Sequence, residues 1–111
     1  MKRSYLGEFE EIVLLTVGVL YAKAYAVVIK EEIADQTGRN VNISAVHTAL
    51  YRLEEKGFLE SKLGDAEARR GGKRKRLFNV TSLGKVALEQ TMELRQKLWA
   101  QIPKPALSFN Y

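Results

Sequence analysis

Residues 44–80 read SAVHTALYRLEEKG followed by FLESKLGDAEARRGGKRKRLFNV, and the fold turns on these two strings together. In the first, Val46, Ala49, Leu50 and Leu53 recur at three- and four-residue spacing, the apolar stripe of an amphipathic helix. Ser44 is of a good N-cap type in front of that stripe, and Gly57 is a suitable stop behind it. The other face carries Ala45, His47, Thr48, Tyr51, Arg52 and Glu55. Donors, acceptors and a stacking ring within two turns can reach into a groove and read base edges. An ordinary solvated surface has the same composition, so this face decides nothing by itself. In the second string, 58–62 and 76–80 read as two short strands around a loop, 64–75, rich in glycine and charge. A capped helix therefore runs directly into a β-hairpin.

The tip and descending arm of that hairpin hold Arg69-Arg70-Gly71-Gly72-Lys73-Arg74-Lys75-Arg76. The chain has a net charge of +5, and removing this stretch leaves −1, so the basic character is local. Runs of like charge are commonly solvated loops. Placed on a hairpin behind a polar-faced helix, this one reads instead as a tip that touches a polyanion.

Upstream, 5–22 reads as a first helix, with Leu6, Phe9, Ile12, Val13, Thr16, Val17 and Leu20 on one face. Leu14, Leu15 and Val19 add apolar surface on a second side, as expected of a helix that is either central or shared with a partner. Residues 25–37 read as a second helix stopped by Gly38. Helix, helix, capped helix, hairpin is the order of a winged helix-turn-helix. Downstream, Thr81 suits the N-cap of a last helix, 82–102, stopped by Pro103 and Pro105. Leu83, Val86, Ala87, Leu94 and Leu98 suit packing back on the domain, while Leu88, Met92, Trp99 and Ile102 form a neighbouring stripe for a second copy. The expected architecture is mainly α with a small β-hairpin. It comprises a winged helix-turn-helix over 1–81 and one C-terminal dimerisation helix with its tail over 82–111.

At 111 residues the chain has the length of one domain. It has no cysteine and a single histidine, and lacks G-x-S-x-G, H-E-x-x-H and phosphate-loop patterns. Neither catalysis, nor a metal, nor a cofactor is indicated. The longest apolar-rich run, 12–22, is well short of the roughly 20 residues a spanning helix needs. The acidic Glu8, Glu10 and Glu11 that precede it do not suit a signal peptide. The expected location is cytoplasmic, without membrane insertion.

Four segments resemble the PadR-like transcriptional regulators. They are Leu6-Gly7-Glu8-Phe9-Glu10-Glu11, Ala24-Tyr25-Ala26-Val27-Val28-Ile29, the string AVHTALYRLEEKG of 45–57, and the RGGKRKR of 70–76 followed by Val80-Thr81-Ser82-Leu83-Gly84. The resemblance spans residues 6 to about 88. It implies a homodimeric, winged-helix repressor of double-stranded DNA. The third helix would enter the major groove, the wing would follow the backbone or minor groove, and the last helix would join the partner's first. Two departures stand out: Ala26 where the family usually has glycine, and His47 where it usually has tyrosine.

On this reading Ser44, His47, Thr48, Tyr51 and Arg52 contact the groove. Arg69, Arg70, Lys73, Arg74, Lys75 and Arg76 neutralise phosphates, with Gly71 and Gly72 allowing close approach. Leu14, Leu15, Val19, Leu88, Met92, Trp99 and Ile102 are the expected dimer contacts. The family's multidrug-sensing branch implies a small aromatic effector held between last helices, a role that falls to Trp99; filling the dimer core is the simpler role for the same side chain. The rival is an RNA-binding or general nucleic-acid module, since Arg-Gly-Gly also occurs in RNA-binding segments.

Overall fold

The computed structural model describes residues 6–64 and 75–108. Its elements are α1 (Glu8–Val19), α2 (Ala26–Thr37), α3 (Ile43–Glu55), β1 (Leu59–Leu63), β2 (Arg76–Val80) and α4 (Ser82–Gln101), followed by a 3₁₀ turn, Lys104–Leu107. All four expected helices and both strands are present. The first helix is shorter at both ends than its hydrophobic pattern suggests.

Several helix ends have a local cause. Three glutamates occupy the first turn of α1, where carboxylates meet the positive end of the helix dipole. Gly38 ends α2 at φ 75°, and its N–H donates to Ala34 O at 2.9 Å. That left-handed geometry is cheap for glycine alone. Thr81 caps α4, its Oγ1 accepting from Gly84 N at 3.0 Å.

The cap of α3 is Asn42, not Ser44. Asn42 Oδ1 accepts from Ser44 N at 2.9 Å and Ala45 N at 3.3 Å. Ser44 already lies inside the helix, and its hydroxyl donates to the same oxygen at 2.5 Å. Both residues are good cap types, but a second signal separates them. With Asn42 as cap, Val41 and Val46 occupy the N′ and N4 positions of a hydrophobic staple. Val46 is fully buried and Val41 packs half-buried against the core. With Ser44 as cap, N4 would be the hydroxylic Thr48.

The three first helices enclose one core built on Leu14, Ile29, Ile33, Leu50 and Leu53. Phe58, Leu59 and Phe78 close it from the hairpin, whose antiparallel register pairs Leu59 with Val80 and Leu63 with Arg76. The hairpin is held to α2 as well, because Phe78 N donates to Ala24 O at 3.0 Å. Lys56 Nζ meets Glu10 Oε1 at 2.5 Å, tying the end of α3 to the start of α1.

Two expectations about packing are corrected. Leu14 is completely buried inside the protomer and offers nothing to a partner; α1 turns it toward α2 and α3 and leaves Leu15 and Val19 outside. On α4 the two stripes are divided differently from the sequence expectation. Ala87 and Leu88 pack against the core, whereas Leu83, Val86, Leu94 and Leu98 are exposed. Leu88, Thr91, Arg95, Leu98 and Ile102 are spaced three, four, three and four, so they share one face. The first turns of that face rest on the domain. Arg95 reaches back to Glu11 Oε1 at 2.8 Å, and beyond it the face has no core beneath it among the described residues.

Candidate nucleic-acid interface

α3 is buried along Val46, Ala49, Leu50 and Leu53, which leaves Ser44, His47, Thr48, Tyr51 and Arg52 together on its exposed side. These are the five side chains expected to face the groove. Hydrogen bonding restricts what two of them can offer. Thr48 Oγ1 donates to Ser44 O at 3.0 Å, so its proton is used within the helix and its oxygen faces out as an acceptor. Ser44 has likewise given its proton to Asn42. His47 and Tyr51 stack, with centroids 6.3 Å apart and planes at 27°. Exposed acceptors suit amino groups on adenine N6 or cytosine N4, and the guanidinium of Arg52 suits guanine.

Asn42 was not singled out in the sequence, yet it sets this face. Its Oδ1 takes three donors, which leaves the amide NH₂ directed away from the cap. Asn42→Asp should keep the cap and unfold at or slightly above the wild-type temperature. Asn42→Ala should cost about 1 kcal/mol. Thermal unfolding followed by circular dichroism separates the two; equal losses would mean the cap contributes nothing.

Of the basic run, Lys75 and Arg76 are described and exposed; Arg69, Arg70, Gly71, Gly72, Lys73 and Arg74 lie outside the described residues. Lys75 O accepts from Gly64 N at 2.7 Å, which closes the hairpin ladder at its distal end. Arg76 Nη1 donates to Ser61 Oγ at 3.0 Å, and Ser61 Oγ donates to Glu54 Oε2 at 2.6 Å. The guanidinium is thereby held beside α3. Between the start of α2, the outer face of α3 and the distal end of the hairpin ladder lies a groove of about 410 Å³, with Tyr25, His47, Tyr51 and Lys75 in its walls. Sequence periodicity gives no sign of it, because three separate elements build it.

A family model described as "Transcriptional regulator PadR-like family" matches residues 14–90. The chain belongs to the PadR-like family of transcriptional regulators. The family consists of regulators rather than enzymes. A PadR family regulator from Eggerthella lenta superposes with a TM-score of 0.70 at 21% identity, covering 93% of this chain and 88% of that one. One from hypervirulent Clostridium difficile gives 0.60 at 29% identity, covering 81% and 95%. Bacillus subtilis PadR, solved in complex with operator DNA, gives 0.64 at 16% identity, covering 79% and 48%. No curated protein matches the sequence significantly. As a PadR-like chain it has the winged-helix fold: four helices and a two-stranded antiparallel hairpin. No described helix is long and apolar enough to cross a membrane, and no group of three or more described His, Asp or Glu side chains is placed to hold a metal.

Proposed function

We propose that this PadR-like chain is a homodimeric, sequence-specific DNA-binding repressor acting in the cytoplasm. Residues 1–81 form the DNA-binding unit, and 82–111 the dimerisation helix and tail. The observation that carries the reading is the juxtaposition of α3's polar face with the hairpin that bears the cationic run. The Bacillus subtilis relative on operator DNA supports the same partner. α3 enters the major groove, and the hairpin continues along the adjacent backbone or minor groove.

Phosphate contacts position a protein and base contacts specify sequence, so the two elements should fail differently. Arg74→Ala should weaken binding to every duplex and lower the salt slope by about 1. Thr48→Ala should chiefly reduce the preference for the cognate site, by about 1–3 kcal/mol. Titration of both variants against cognate and random duplexes at two salt concentrations tests this; identical behaviour would refute the division of labour.

An aromatic effector belongs to the same proposal. Trp99 is 67% exposed in the protomer and lies beside the uncovered face of α4, which supports it as a platform at the dimer interface. A planar aromatic cation should quench Trp99 fluorescence and release the duplex together. If neither quenching nor release follows, Trp99 serves as packing only.

A further inference from the structure

The face of the hairpin that packs on the helices carries a cation. In the antiparallel register Ser61 pairs with Phe78 and Leu63 with Arg76. Successive side chains of a strand alternate between faces. Arg76 therefore shares its face with Ser61 and with the buried Phe78 and Leu59, whereas Lys62 and Leu77 take the other face. Arg76 Nη1 donates to Ser61 Oγ at 3.0 Å, and Ser61 Oγ donates to Glu54 Oε2 at 2.6 Å. The direction of this chain is fixed, because a guanidinium only donates and an ionised carboxylate only accepts. Serine supplies the one proton and the spare lone pair that the two bonds need, and both bonds are charge-assisted. His47, Tyr51 and Glu54 are spaced four and three, so the carboxylate lies on the same stripe of α3 as the two stacked rings. The chain thus ties both strands to that stripe.

We propose that Glu54, Ser61 and Arg76 form a brace that fixes the hairpin at one angle to α3, with Arg76 as a positioning residue rather than the phosphate ligand that its place in the basic run suggests. The inference rests on the DNA-binding reading and deepens it. A cognate site is met by α3 and the hairpin together, so their relative placement is part of recognition. A hairpin already held at that placement loses less freedom on binding. A random duplex is held mainly by charge and needs no single docked arrangement. Ser61 thereby contributes to sequence preference without touching a base.

The test measures binding of the full-length protein to a duplex that the wild type selects from a random pool, and to a random duplex, over a range of salt and well below the unfolding temperature of each variant. Ser61→Ala removes a hydroxyl and no charge. It should weaken cognate binding by roughly ten-fold, the scale of one charge-assisted hydrogen bond, and leave random binding within about two-fold of the wild type. Ser61→Thr keeps the hydroxyl and should bind as the wild type does. Arg76→Ala should weaken cognate binding to a similar extent, and should add less than about two-fold in the Ser61→Ala background. Its salt slope should stay that of the wild type, whereas loss of a phosphate contact reduces the slope by about 1. The brace is refuted, and the DNA-binding reading still stands, if Ser61→Ala binds both duplexes as the wild type does, if Ser61→Thr shares its loss, or if Arg76→Ala reduces the slope by about 1 in both backgrounds. If the wild type selects no duplex at all, both readings fail.

Discussion

Gly84→Ala is expected to destabilise the protein by about 2–4 kcal/mol, although it adds a single methyl group to a helix. In most helices the same change is favourable by up to about 1 kcal/mol, because alanine loses less backbone entropy. Here the first turn of α4 lies against the backbone that links α3 to β1. A Cβ on Gly84 would stand 2.2 Å from Phe58 O and 3.0 Å from Val80 Cγ1. A carbonyl cannot rotate aside as a flexible side-chain tip can. Phe58 O also accepts from Thr81 N at 3.1 Å, and Thr81 Oγ1 donates to Gly57 O at 2.6 Å. Moving α4 outward to admit the methyl would stretch both of these bonds, and Thr81 is also the cap of α4. Gly18→Ala in α1 is the control, since its Cβ would meet only Val80 Cγ2 at 3.9 Å. Chemical denaturation at matched protein concentration should show a large fall in midpoint for Gly84→Ala and no fall for Gly18→Ala. Equal midpoints would mean that the close approach of α4 to Phe58 is not maintained in solution.

Leu98→Glu is expected to convert the proposed dimer to monomers and weaken operator binding by about two to four orders of magnitude. Leu98 is 56% exposed in the protomer, at the middle of the open part of α4. Leu94, Trp99 and Ile102 around it are exposed as well. In the proposed dimer, a second copy covers this apolar surface at the edge of the small domain. On α1, Leu15 and Val19 are open in the same way and could receive it. A glutamate at the centre of such an interface would be desolvated without a partner, which costs several kcal/mol. Because Leu98 touches little within its own chain, folding should survive. Sedimentation should then report a folded monomer, and a monomer engages one half-site without the advantage of linkage to the second. A variant that stays dimeric would place the interface elsewhere.

Leu14 and Leu15 show how much of this was legible in the sequence. Both are leucines on an apolar-rich helix, and periodicity alone put both on a partner-facing side. The structure buries Leu14 fully and exposes 40% of Leu15. The 100° between neighbouring residues decides which one meets α2 and α3, and only the crossing of those helices fixes that angle. Leu88 and Leu98 repeat the lesson on α4. They share a face, but Leu88 lies over the domain and Leu98 extends past it. Position along the axis relative to the core, not periodicity, separates them.

Local chemistry was written in the chain. Gly38 ended a helix because only its neighbours and its own φ matter there. Thr81 capped α4 for the same reason, and the stripe Val46, Ala49, Leu50, Leu53 oriented α3 because its partners need only be apolar. These features gave the winged-helix order and placed Ser44, His47, Thr48, Tyr51 and Arg52 on one exposed face. Long-range contacts were decided by the tertiary structure. They include Phe58 O against Gly84, the chain from Arg76 through Ser61 to Glu54, and the groove formed by Tyr25, Tyr51 and Lys75. Each joins residues whose proximity is set by how helices and hairpin cross, and a one-dimensional pattern carries no term for that geometry.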